Sequence, residues 1–235
     1  MPLRFLYFDA GFTLLHPWPS VGHHYAEVAA EWSVSASAPA LDAAFRGAWR
    51  GALAGRDSAL PYGRNLAEAR VFWAGVVTEC FRLAGAAAPA EQAFHDAVFD
   101  RFAEARCWRL YPDVNPALAL LEERGIPFGV LSNWDPRLRP VLDALGLGPR
   151  LSALVISSEA GCEKPRPGIY QVALRAAGNP EPASIGLIGD EPESDGHGAL
   201  RAGWRQCLIL REPGALPPAG LIVRNSLTDA VAALL

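Results

Sequence analysis

Asp9 and Thr13 in "FDAGFT", Ser132, Asn133 and Asp135 in "SNWD", Lys164 in "EKPRPGIY", and Asp190, Glu191 and Asp195 in "GDEPESD" each follow a short apolar run. Together they supply a carboxylate, hydroxyls, an ammonium and an acidic cluster. Phosphoryl transfer needs those types at one place: a nucleophilic oxygen, donors to the equatorial oxygens, and cations to offset the charge. Asp9 is the candidate nucleophile, forming an aspartyl-phosphate. Asp9 and Asp190 are candidate ligands of one Mg²⁺, a hard ion that takes carboxylate, carbonyl and water oxygens in octahedral geometry. Lys164 is the candidate for neutralising the charge left over, and with Asp9 makes up the catalytic pair. It is the only lysine in the chain, where every other strong side-chain base is arginine, so a compact point charge is kept at this one place. Ser132 and the Asn133 amide are candidates for holding a phosphoryl oxygen. Thr13, Glu191 and Asp195 read as supports of these groups: a hydroxyl bracing the loop, and acids orienting the metal ligands. Singly, each has an ordinary reading as a turn residue, a helix cap or an acid drawn to a helix dipole.

These loops need a common edge. The runs at 3–8, 127–131, 153–157, 185–189 and 206–210 have the length and bounding of strands buried on both faces. Between the later ones, helical patterns begin near Pro112, Asp135, Arg166 and Glu191 and stop at Gly125, Gly146, Gly178 and Gly203. Alternating strand and helix predicts an α/β fold with a Rossmann-like, doubly wound parallel sheet, whose ligands gather at the carboxyl ends of the strands. The first strand breaks the rhythm, because about a hundred residues separate it from the next strand and that interval reads as wholly helical, with periodic segments at 20–33, 39–54, 66–84 and 90–107. A structureless loop of that length is implausible, so the expectation is an inserted helical cap domain at 17–107 and a discontinuous core at 1–16 and 108–235.

Bulk properties narrow the partners. A net charge of −4 and a pI near 5.7 leave no basic field for a nucleic-acid backbone, so a small phosphorylated molecule is the expected substrate. No membrane span or signal peptide is apparent, and the chain reads as cytoplasmic, a monomer or homodimer. Cys80, Cys107, Cys162 and Cys207 lie far apart without metal-ligand spacing and read as incidental thiols.

The order of the four motifs resembles the haloacid dehalogenase-like (HAD) hydrolase superfamily over nearly the whole chain. "YPDVNPALALLEERGIPFGVLSNWDPRL", "KPRPGIYQVAL" and "GDEPESDGHGALRAGW" are similar to its capped subgroup of haloacid dehalogenase-like hydrolase domain-containing proteins. The resemblance implies a Rossmann-like core, a mobile cap and a Mg²⁺-dependent hydrolase, most often a phosphatase. It also implies that the ion's third protein contact is the backbone carbonyl at position 11.

Gly11 departs from that pattern. Phosphatases of this superfamily usually carry a second aspartate there, as general acid for the leaving group and base for the water. Such catalysis is worth roughly 10²–10⁴-fold. Three readings remain open: a phosphatase whose acid is elsewhere (Glu191, His16, His23 or His24) or whose leaving group needs none; a catalytically impaired phospholigand-binding or interaction protein; and a 2-haloacid dehalogenase, for which the acids at 190, 191 and 195 would be surplus. A phosphonate-cleaving route needs a cap lysine, and residues 17–107 contain none. Arg46, Arg50, Tyr62, Arg64 and Asn65 are cap residues that could reach an anionic substrate. "GHGALR" at 196–201 lacks the last glycine of a dinucleotide fingerprint.

Overall fold

In the computed structural model, residues 1–54, 56, 60–211 and 218–235 are described. The elements run β1 (Phe5–Phe8), β2 (Leu15–Pro17), α1 (Val21–Glu31), α2 (Ala38–Ala54), α3 (Leu66–Leu83), α4 (Gln92–Arg101), β3 (Trp108–Leu110), α5 (Val114–Glu123) and β4 (Phe128–Ser132). They continue as α6 (Leu138–Ala144), β5 (Ala153–Ile156), α7 (Ser157–Ala160), α8 (Pro167–Ala176), β6 (Ile185–Gly189), a π-helical turn (Pro192–His197), α9 (Gly198–Arg201), β7 (Arg205–Ile209), β8 (Val223–Arg224) and α10 (Leu227–Leu234).

The six-stranded sheet has the order β5-β4-β1-β6-β7-β8, with every pairing parallel. β1 lies between β4 and β6, so its carboxyl end is flanked by the ends of both neighbours. All four residues of β1 are buried, and they divide by strand alternation. Leu6 and Phe8 join Val114, Leu118, Leu142 and Val231 in one cluster; Phe5 and Tyr7 join Ile169, Tyr170, Ala173 and Trp204 in the other. Helices cover both faces, which is why the strands read as continuous apolar runs. Each fully buried large side chain contributes roughly 1.5–3 kcal/mol, so these two clusters hold the strand ends in place.

Helices α1–α4 bury a third cluster of their own, centred on Tyr25, Leu41, Val76, Phe81 and Phe94. Side-chain caps start two of them: Ser20 accepts from His23 N, and Asn65 from Glu68 N.

Four local expectations need correction. The segment after β1 is not wholly helical, because β2 and β3 pair antiparallel where the chain leaves and re-enters the sheet layer. Three-residue strands have no readable periodicity; this ribbon is held by Trp18 N donating to Cys107 O and by the Arg109 guanidinium 3.6 Å over the Trp18 ring. The pattern from 90 breaks at Arg101 and resumes only as a 3₁₀ turn at Ala105–Cys107. The pattern from Asp135 becomes a helix only at Leu138, after a turn in which the Asp135 carboxylate accepts from Arg137 N at 3.1 Å and from the Arg137 guanidinium. The pattern from Glu191 opens as a π-helical turn in which the Glu191 carbonyl accepts from Asp195 N at 2.8 Å and Gly196 N at 3.4 Å.

Candidate active site

The carboxyl ends of β1 and β6 and the loop before α8 bring Asp9, Lys164, Asp190 and Asp195 into one cluster. Lys164 Nζ donates to Asp9 Oδ1 at 2.8 Å and to Asp195 Oδ1 at 2.5 Å, with the lysine side chain only 2% exposed. Ligand oxygens of Asp9, Asp190 and Asp195 all lie within 4.8 Å of one another. Thr13, fully buried, donates its hydroxyl to Asp190 Oδ1 at 3.0 Å. The π-helical turn folds Asp195 back so that its Oδ2 accepts from Glu191 N at 3.0 Å. Gly189 permits that approach: a Cβ there would lie 2.2 Å from the Asp195 carboxyl carbon.

Burial would lower the Lys164 pKa, but Asp195 and Asp9 beside it raise it above the usual lysine value. Burial, reinforced by the charges of Asp9, Asp195 and Glu191, pushes the Asp190 carboxyl well above the ordinary range; Thr13 opposes it. Burial also raises Asp195, against the pull of Lys164. Three carboxylates thus face one ammonium, an excess of negative charge that a hard divalent cation would neutralise, and every donor is an oxygen. In the loop after β1, Leu14 N and Leu15 N donate to Ala10 O at 2.9 and 3.0 Å and Phe12 N donates to Leu15 O at 2.7 Å; among the described residues no backbone N–H donates to the Gly11 carbonyl. The residues present therefore fit Mg²⁺.

The other candidates divide. Ser132 is buried at the end of β4. The Asn133 side chain is committed elsewhere: Nδ2 donates to Lys164 O at 2.8 Å and Oδ1 accepts from Lys164 N at 2.7 Å. That two-bond clamp holds the lysine's main chain and leaves the Asn133 backbone N–H as this residue's remaining candidate donor. Glu191 is exposed and contributes its N–H to Asp195. His24 is buried and its Nε2 donates to Trp18 O at 2.8 Å, His16 Nδ1 donates to Pro17 O at 3.0 Å, and His23 is exposed on α1; no described contact links any of them to Asp9. Arg64 and Asn65 pair with Glu68 on the surface, and Arg46 and Arg50 are exposed on α2.

Trp134 explains the space at Gly11. A Cβ on Gly11 would stand 3.2 Å from Trp134 Cζ3 and 3.9 Å from Cη2, so the indole edge occupies the direction a side chain would take. Ser157 pins this residue, its Oγ accepting from Trp134 N at 3.0 Å and donating to Trp134 O at 3.1 Å, and Trp108 packs against the ring at 5.1 Å. Only the juxtaposition of two loops distant in sequence reveals this, although Trp134 stands inside the quoted "SNWD" motif.

Two residues from the segment before α3 reach the loops that carry Asn133 and Lys164. Tyr62 OH donates to Asn133 O at 3.3 Å, and Arg56 pairs with Glu163, the buried neighbour of Lys164 whose carboxyl is raised by burial against the pull of Arg56. Asp135, fully buried, pairs with Arg137 at 2.7 Å and accepts from Trp73 Nε1 at 2.9 Å. Arg137 in turn donates to Phe99 O at 2.8 Å and lies 3.6 Å over the Phe99 ring. This buried pair was outside the sequence reading, which took Asp135 as a helix start.

Residues 17–203 match the family described as haloacid dehalogenase-like hydrolase. The chain is 33% identical over 233 residues to human haloacid dehalogenase-like hydrolase domain-containing protein 3, covering 96% of this chain and 88% of that protein. It is 35% identical over 150 residues to a phosphoserine phosphatase of Thermus thermophilus, 61% of this chain and 59% of that one. A solved structure described as a dehalogenase superposes with a TM-score of 0.71 at 26% identity, over 99% of this chain and 97% of that one. Among the described residues no helix is long and apolar enough to cross a membrane.

Proposed function

The chain belongs to the haloacid dehalogenase-like hydrolase family, and from that premise we propose that it is a Mg²⁺-dependent phosphatase of a small phosphorylated metabolite. The observation that carries this reading is Lys164 Nζ, held between Asp9 at 2.8 Å and Asp195 at 2.5 Å with Asp190 in the same cluster. In this mechanism Asp9 Oδ1 holds the ammonium and Oδ2 attacks phosphorus, the bond to the leaving oxygen breaks, and an aspartyl-phosphate forms. Water then attacks that phosphorus as its bond to Asp9 breaks, releasing inorganic phosphate and a proton to solvent and regenerating the Asp9 carboxylate. Asp9, Asp190 and the Gly11 carbonyl would hold the ion, with Asp195 at its side; when bound it supplies charge stabilisation at the phosphoryl oxygens. Ser132 Oγ and the Asn133 amide orient a phosphoryl oxygen, and Lys164 offsets its charge. Residues 17–107 act as a cap that admits substrate and excludes water, a reading supported by the separate core of α1–α4.

With glycine at position 11, that position offers no side chain to protonate a leaving oxygen. The preferred substrates are therefore those whose leaving group departs as a stable anion. Phosphate release from p-nitrophenyl phosphate that needs Mg²⁺, is lost in Asp9→Asn, and far exceeds release from sugar phosphates is the expected result. The Trp134 contact at Gly11 favours a second reading, a phospholigand-binding protein with little turnover. Absence of metal-dependent release from the whole panel, with tight binding of a phosphorylated ligand retained, would move the conclusion there. Metal-independent chloride release from 2-chloropropionate would instead make it a dehalogenase.

A further inference from the structure

Arg211, just beyond β7, reaches across the sheet edge to the loop that carries the nucleophile. One guanidinium nitrogen donates to the Thr13 carbonyl at 2.8 Å, another to Asp113 Oδ2 at 2.8 Å, and the group lies 3.8 Å over the Tyr111 ring. The anchor is itself braced. Asp113 Oδ2 also accepts from Leu227 N at 2.8 Å, at the start of α10, and Tyr111 N donates to Leu14 O at 3.0 Å. The Arg211 side chain is 17% exposed and that of Asp113 19%, so this ion pair is shielded more than a surface pair.

Thr13 faces both ways. Its carbonyl is held by Arg211, and its hydroxyl donates to Asp190 Oδ1 at 3.0 Å. The two groups share one Cα, so holding the carbonyl fixes where the Thr13 side chain is rooted, and from that root the hydroxyl meets the Asp190 carboxylate. A lysine could satisfy one partner as a point charge; the planar fork meets the carbonyl and the carboxylate together.

We propose that Arg211 is a positioning residue for the cation site, holding Asp190 in its ligating orientation through Thr13. This rests on the reading of Asp190 as a metal ligand, and direct binding of Mn²⁺ to the full-length protein without substrate, followed by electron paramagnetic resonance, separates the two. Partners bonded directly to a metal ligand are commonly worth about 10–100-fold in affinity, and Arg211 acts one bond further out through Thr13, so Arg211→Gln should weaken Mn²⁺ binding by about 3–10-fold, with Arg211→Lys in between. Wild-type affinity in Arg211→Gln, whatever happens to its melting temperature, would overturn the proposal. If Arg211→Gln does not fold, Asp113→Asn decides: it leaves an acceptor for Leu227 N while removing the charge that anchors Arg211, and unchanged Mn²⁺ affinity there would equally overturn it. Wild-type protein whose Mn²⁺ binding is absent, or is untouched by Asp190→Asn, would instead remove the metal reading beneath it.

Discussion

Substituting Gly11 by aspartate tests whether Trp134 is what stands in place of an acid. The new Cβ would lie 3.2 Å from Trp134 Cζ3, closer than carbon atoms pack without displacement, and the carboxylate beyond it would press on the same ring. The ring cannot translate freely, because Ser157 bonds the Trp134 main chain on both sides and Trp108 packs against the indole. Overpacking of this kind costs about 1–3 kcal/mol. In a chain of this size that lowers the melting temperature by about 2–12 °C. In a Trp134→Ala background the same aspartate meets open space, so the four proteins of a double-mutant cycle should show a favourable coupling of about 1–3 kcal/mol by denaturant unfolding. Turnover is the second readout. A general acid contributes roughly 10²–10⁴-fold, so hydrolysis of an alkyl phosphate should rise in Gly11→Asp/Trp134→Ala and stay near wild type in Gly11→Asp alone. An aspartate equally costly in both backgrounds, or a single variant as active as the double, would refute the reasoning.

The metal-free site carries a pH signature. Asp190 and Asp195 have raised folded-state pKa values, so their extra stability is present at acid pH and is lost as pH rises through those values. The stability difference between wild type and Asp190→Asn, measured by thermal unfolding without divalent ions, should therefore favour the variant increasingly toward neutral pH, and millimolar Mg²⁺ should reverse it; a difference flat in pH and insensitive to Mg²⁺ would count against the site. Removing Arg137 as Arg137→Met leaves the fully buried Asp135 charge unpaired and should cost about 3–5 kcal/mol in chemical denaturation. The joint replacement Asp135→Leu/Arg137→Met should cost less, because no lone charge remains. Asn133→Ala removes both bonds to the Lys164 main chain and should lower kcat more than it raises KM, with about 1–3 kcal/mol lost in stability. An unchanged kcat would show that Lys164 needs no clamp.

How much was legible depends on the range of the physics involved. The sheet strands announce themselves because burial on both faces leaves no polar position, and β6 falls on the residues expected for it, 185–189. Helices α8 and α9 close at Gly178 and Gly203, whose left-handed φ values of 85° and 76° suit glycine, so a local backbone preference marks them. The ribbon of β2 and β3 and the short β8 carry three, three and two residues, too few for any period, and their pairing comes from contacts across the fold.

The candidate site divides along the same line. Residue types and their order nominated Asp9, Lys164, Asp190 and Asp195, since an acid after a buried strand and a solitary lysine are local facts of the chain. Tertiary structure alone decided what surrounds them. The Asn133 side chain went to the Lys164 backbone, Asp135 became half of a buried ion pair, and Trp134 filled the space above Gly11. Arg211 met Thr13 across 198 positions of sequence. The physical reason is that a side chain's chemistry belongs to its residue, whereas its partners, its solvent and the room it occupies belong to whichever distant segments packing brings beside it.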